Sequence, residues 1–227
     1  MEKFLVFSST HFYYLGGYFF LVLIGLLIAS FFQNKKTVAR FIAFLVLILK
    51  CSELYYRHVV FKETYITMLP LHLCNLTLII TLLAMIFQAK FLFQVVYFWA
   101  PGAIFALLTP EITYKFPNLW SISFFITHFY LIFAVFYEMI YFKFKPTKSG
   151  LIGSFIFLNI MAFIVYFINI KLGTNYLYIN HLPDFKSPLN HFGPWPYYIL
   201  VTEGIYLFIS LIIYLPFKEK KFLRKHY

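Results

Sequence analysis

Long apolar stretches broken by short polar ones dominate this chain. Residues 13–32, 39–56, 68–88, 91–108, 119–142, 150–170 and 196–217 each approach the ~20 mainly apolar residues that a helix needs to cross a bilayer. The intervals hold residues that end helices. Lys35 and Lys36 close the first stretch, Pro70 falls near the first turn of the third, and Pro110 stops the fourth. Pro146 and Gly150 separate the fifth from the sixth. No internal repeat or low-complexity segment interrupts the pattern. It predicts an all-α membrane protein, a bundle of seven transmembrane helices that makes residues 1–227 a single transmembrane domain.

Composition agrees with the pattern. Of 227 residues 62% are apolar and 12% charged, against about 45–50% and roughly 25% in soluble domains. Water cannot solvate that much apolar surface, so lipid is the expected solvent. The first stretch exceeds a signal-peptide core of about 7–15 residues and reads as a retained helix. The two cysteines, Cys51 and Cys74, both lie in apolar runs, which excludes a disulfide framework and zinc spacing.

The net charge of +11 fits membrane topology better than nucleic-acid binding, because the basic residues sit in short loops. Lys35, Lys36, Arg40, Lys90, Lys143, Lys145, Lys148, Lys218, Lys220, Lys221, Arg224 and Lys225 fall on one side of the expected bundle. Only Lys3, Arg57, Lys62, Lys115, Lys171 and Lys186 fall on the other. The positive-inside rule then sets the N-terminus outside and the C-terminal tail in the cytoplasm, with Lys218 to Lys225 against anionic headgroups. The expected location is a bacterial cytoplasmic membrane.

With that orientation, the costly polar groups inside spans gather in the outer half of the membrane. They are Lys50, Glu53 and Arg57 on the second helix; His72, Cys74 and Asn75 on the third; Ser121, Thr127 and His128 on the fifth; and Glu203 on the seventh. His11 precedes the first helix on the same side, and Glu138 is the exception, near enough to the inner end to reach the interface or Lys143. Such convergence predicts a polar cavity open to the outer face.

Each residue also has a plainer role. Lys50, Glu53 and Arg57 share one helical face, which favours a structural ion-pair ladder over a substrate site. His72 and Asn75 fit hydrogen bonds between helices, and Thr127 fits a bond to its own helix. Glu203 needs a partner or a proton. Cys51 reads as packing. Cys74 is either a small buried hydrophobe or a nucleophile, which needs a base within reach. Residues two apart on a helix point about 160° from each other, so His128, not His72, is the better base. The long outer loop carries Asn175, Tyr176, His181, Asp184 and His191, and Trp195 flanked by prolines is an interfacial anchor or a lid.

Several motifs carry a resemblance. Leu69-Pro-Leu-His-Leu-Cys-Asn-Leu76 resembles the LPLHLC signature of the bacterial YwaF-like integral membrane proteins. Leu108-Thr-Pro-Glu111, Phe116-Pro117, Phe124-Phe-Ile-Thr-His128, Gly173-Thr-Asn-Tyr176 and Gly193-Pro-Trp-Pro-Tyr-Tyr-Ile199 follow in order, with Glu111 where many relatives have aspartate. That family in turn resembles, more distantly, a eukaryotic multispanning acyltransferase that remodels ether phospholipids with a cysteine and a histidine. The resemblance implies Cys74 as nucleophile and His128 as its base. His72 or Asn75 would then bind an oxyanion or orient His128, and Glu203 or Glu53 would hold a histidine.

The expected function is a lipid acyltransferase or acyl hydrolase working through a thioester, with membrane lipids as partner and substrate. It requires no cofactor, metal or nucleic acid. A binding or transport protein for a small polar substrate is the competing class. A structural subunit is the third.

Overall fold

The computed structural model describes residues 4–110, 118–185 and 187–218. Lys3, Glu111, Lys115, Phe116, Pro117, Lys186 and the basic tail Lys220, Lys221, Arg224 and Lys225 lie outside the described residues. Among the described residues all regular structure is helical: α1 Ser9–Phe31, α2 Lys35–Phe61, α3 Leu73–Phe87, α4 Lys90–Trp99, α5 Pro101–Leu108, α6 Leu119–Tyr141, α7 Lys148–Leu172 and α8 Tyr197–Tyr214. Short 3-10 turns cover Tyr176–Tyr178, Pro188–His191 and Leu215–Phe217.

Four helices start on a side chain that accepts one of the orphan N–H groups of the first turn. Ser8 takes the N–H of His11, Asn34 that of Thr37, Asn118 that of Trp120 and Thr147 that of Gly150. Their interiors are rich in Leu, Ile and Phe, and every backbone bond within them is internal, as lipid requires.

Ser9–Phe31, Lys90–Leu108, Leu119–Tyr141, Lys148–Leu172 and Tyr197–Phe217 are long and apolar enough to cross a membrane. Phe19, Phe20 and Leu27 of α1, Phe163 and Phe167 of α7, and Phe208 and Leu211 of α8 are exposed. Apolar surface on that scale is stable only against lipid, and the chain is a multi-pass membrane protein.

Two expected spans differ from these five. α2 has the length, at 27 residues, but carries Arg40, Lys50, Glu53 and Arg57. α3 has only 15 residues, because the chain is not helical before Leu73. Pro70 thus lies in the lead-in to the helix, and extended His72 is the N-cap. The fourth span is divided by Pro101, which has no N–H to donate and separates α4 from α5.

α6 is the hub, packing against α1, α2, α3, α4 and α5, while α7 packs on α4 and α8. Ala29, Ala39, Ala43, Phe133, Ala134 and Tyr137 belong to one buried cluster, and Ala84, Val95, Val96, Phe98, Trp99 and Leu151 to another. Fully buried Ala39 and Ala43 let α2 come close to its neighbours, the usual device where no hydrophobic force draws helices together.

Hydrogen bonds mark the two ends. At one, Tyr137 Oη donates to Lys35 O (2.7 Å), Arg40 Nε to Ile86 O (3.0 Å), Gln94 Nε2 to Lys145 O (2.9 Å) and Tyr97 Oη to Ile213 O (2.9 Å). At the other, His11 meets Leu107 O (2.9 Å), Asn118 Nδ2 donates to Tyr56 Oη (3.2 Å) and Tyr176 Oη to Ile66 O.

Candidate functional site

A cavity of about 740 Å³ occupies the end of the molecule that contains the loop between α7 and α8. Small-molecule sites span roughly 300–1,000 Å³. Lys50, Glu53 and Arg57 line it from α2, His72 from the lead-in to α3, Cys74 and Asn75 from α3, and Thr127 and His128 from α6. Tyr178 enters from the loop and Tyr198, Glu203 and Tyr206 from α8. Leu73, Leu78, Leu131, Leu158 and Ala162 supply apolar wall.

His128 is almost fully buried, and its ring lies 4.1 Å from that of Phe124, centroid to centroid. Its Nδ1 stands 2.7 Å from the Phe124 carbonyl oxygen. A carbonyl only accepts, so Nδ1 carries the proton and the neutral ring keeps a lone pair on Nε2. Nε2 is buried and has no hydrogen-bond partner among the described residues. The carboxylate expected to hold a histidine does not hold this one, because a backbone carbonyl one turn earlier already takes the Nδ1 proton.

Cys74 is a free thiol at the second position of α3. Its helix packs on α6, the helix of His128, although no hydrogen bond joins the two side chains among the described contacts. The His72 side chain does not cap α3. The N–H groups of Leu73 and Cys74 have no backbone acceptor among the described residues, since the first backbone bonds in this turn come from Asn75 and Leu76 to His72 O, and the Cys74 N–H faces its own sulfur. An anion at Cys74 meets these donors and the positive end of the helix dipole. These donors were not apparent in the sequence, although Pro70 followed by an apolar run signals a helix start.

On α2 the ladder is built as the spacing implies. Lys50 Nζ lies 2.5 Å from Glu53 Oε2, and Arg57 donates to Glu53 Oε1 at 3.2 Å. Arg57 also grips Glu63 with two nitrogens, at 3.1 and 2.5 Å, and lies 4.4 Å from the Trp120 ring centroid. Glu63 was not anticipated. It follows the end of α2, where Lys62 takes a left-handed conformation that turns the chain back.

The remaining candidates divide. His72 packs its ring against Tyr176 (4.9 Å) and Tyr178 (5.3 Å), and Asn159 lies within reach of Glu203. Thr127 bonds the carbonyls of Ser123 and Phe124 on its own helix. Asn175, Tyr176, Trp195 and His11 do not line the cavity. Asn175 folds the loop onto His181, Trp195 Nε1 donates to Ile179 O, and Tyr176 is clamped by Asn169. His11 accepts from Phe7 N–H at Nδ1 and donates to Leu107 O, fixing α1 to the end of α5.

Two other expectations change. Glu138 reaches neither the interface nor Lys143. It is fully buried, with neither carboxyl oxygen partnered among the described residues. Cys51 does not pack, because it is exposed beside Ser52 and Tyr55. Among the described residues no three His, Cys, Asp or Glu side chains are placed to share a metal ion.

Apolar helices facing lipid around a cavity lined by polar side chains define a multi-pass membrane protein. The chain belongs to the TMEM164 family, whose model matches residues 6–214. It is 29% identical over 153 residues to an uncharacterized protein of Treponema pallidum (strain Nichols), an alignment that covers 67% of this chain. The chain spans 63% of that relative's length. No solved structure matches the chain.

Proposed function

We propose that this protein is a membrane-embedded lipid acyltransferase or acyl hydrolase that uses Cys74 as nucleophile and His128 as base. The observation that carries this reading is the unpartnered Nε2 of His128 in the cavity wall that also holds the Cys74 thiol. His128 Nε2 takes the proton of Cys74 as sulfur attacks the carbonyl carbon of a lipid ester. The S–C bond forms, the ester C–O bond breaks, and His128 returns the proton to the departing lipid oxygen. In the second half, a lipid hydroxyl or water gives its proton to His128 and attacks the thioester, freeing the thiol. The N–H groups at the start of α3 receive the oxyanion, and the leucine-lined wall accepts the acyl chain.

The finer topology belongs to this reading: seven passes, the N-terminus outside, the tail in the cytoplasm of a bacterium, and the cavity at the outer leaflet. The YwaF-like resemblance of the LPLHLC motif belongs to it as well.

The test is incubation of the purified protein, in lipid, with a phospholipid bearing an alkynyl acyl chain, followed by hydroxylamine. A label that hydroxylamine removes, and that Cys74→Ala and His128→Ala do not acquire, is the expected result. A folded wild-type protein that takes no label would move the cavity to a binding or transport role.

A further inference from the structure

We propose that Lys50 is the electrostatic partner of Cys74, a fixed ammonium that stabilises the thiolate and then the oxyanion formed from it. This rests on the cysteine-dependent reading above and adds a residue to it. A thiolate in a low-dielectric chamber within the membrane needs a nearby cation, because desolvation disfavours its charged form. Among the described residues the cavity offers two cations, Lys50 and Arg57. Arg57 is spent, since Glu53 and Glu63 occupy its nitrogens and Trp120 covers its plane.

Lys50 is different. Glu53 Oε2, at 2.5 Å, is its one partner among the described residues, which leaves two of its three N–H donors unspent. It lines the same cavity as both Cys74 and His128, with its unspent N–H groups available to that chamber. Glu53 holds the ammonium and is itself held by Arg57, so the ladder is the mount and Lys50 the working end. The other titratable groups in the cavity are His72, Tyr178 and, on α8, Tyr198, Glu203 and Tyr206, which add no further permanent positive charge.

When Cys74 passes its proton to His128, the negative charge on sulfur faces Lys50. As the S–C bond forms, that charge moves to the carbonyl oxygen and stays within reach of the same ammonium. It leaves with the lipid oxygen that His128 reprotonates. Lys50 exchanges no proton in this sequence.

The test is the rate of Cys74 alkylation by iodoacetamide across pH, in a Cys51→Ala background so that Cys74 is the only thiol. Lys50→Gln is expected to slow alkylation at neutral pH about tenfold and to move its pH profile about one unit higher, with Lys50→Arg restoring most of both. Lys50→Gln combined with Glu53→Gln, which removes both charges together and leaves no unpaired carboxylate, should show the same slowing. Wild-type alkylation in a folded Lys50→Gln or double variant would overturn the proposal. A Lys50-dependent profile with no acyl label on the wild type would leave the proposal standing and overturn the acyl-transfer reading, so the two fail separately.

Discussion

At the scale of single residues, the governing quantity is the cost of a charge without a partner. Glu53 is 1% exposed and neutralises Lys50 on one oxygen and Arg57 on the other. Glu53→Gln removes the anion and leaves the half-buried Lys50 without its partner, so the variant is expected to lose about 1–3 kcal/mol of stability. Thermal unfolding of purified protein in detergent, followed by size-exclusion chromatography, measures it. An unchanged melting temperature would show that Lys50 has another counter-charge. Glu138 gives the opposite expectation, because its buried carboxyl has no partner to lose. Glu138→Leu should be neutral or raise stability by about 1–3 kcal/mol in the same assay, and a clear loss would reveal a partner for the acid. The sequence made such residues conspicuous, since a Glu, Lys, His or Cys stands out in an apolar run. It did not distinguish Glu53 in an ion-pair ladder from Glu138 with no partner, because that depends on which neighbours the fold turns toward each. Glu63 and Tyr178 were invisible for the same reason, lying among unremarkable loop residues until the chain folds back on α2 and α3.

At the scale of elements, the apolar periodicity located the helices but missed how they start and break. The dipeptide Pro101-Gly102 inside the fourth apolar stretch was a signal for the division into α4 and α5, outweighed by the apolar residues around it. The late start of α3 is of the same kind. Residues 69–72 are not helical, and extended His72, the N-cap, reaches the cavity from this lead-in. Helix packing offers a sharp test at the junction of α4 and α7. A Cβ on Gly150 would lie 2.0 Å from Gln94 Oε1. The Gln94 amide cannot retreat freely, because it donates to Lys145 O and accepts from Thr147 N–H, both at 2.9 Å. Gly150→Ala should therefore destabilise the protein by about 1–3 kcal/mol. Adding Gln94→Ala should cost less than the sum of the two single changes, since the second removes the obstacle the first creates. Strict additivity would mean that α7 shifts as a unit to accommodate the methyl group.

At the scale of the whole molecule, the chain is polarised from end to end. Lys35, Lys36, Lys90, Lys143, Lys145, Lys148 and Lys218 all fall at or beside the end where Tyr137, Gln94 and Tyr97 tie helices together. The opposite end holds the cavity, the loop between α7 and α8, and a ladder whose charges cancel in pairs. Basic loops are retained on the cytoplasmic side of a membrane, so under the proposed topology this asymmetry sets the cavity away from the cytoplasm. The sequence alone supported that orientation through the same lysines, whereas the pairing of helix ends required the tertiary bonds. The prediction follows from placing one cysteine in each exposed end loop of a Cys51→Ala, Cys74→Ala protein. A membrane-impermeant maleimide added to intact cells should label Asp184→Cys, in the loop before α8. It should reach Ser149→Cys, at the start of α7, only after the cells are permeabilised. Reversed labelling would invert the orientation and put the Cys74 chemistry on cytoplasmic-leaflet lipid. Labelling of both sites from outside would mean that α7 does not cross between them, and the membrane path of the chain would have to be redrawn around the other helices.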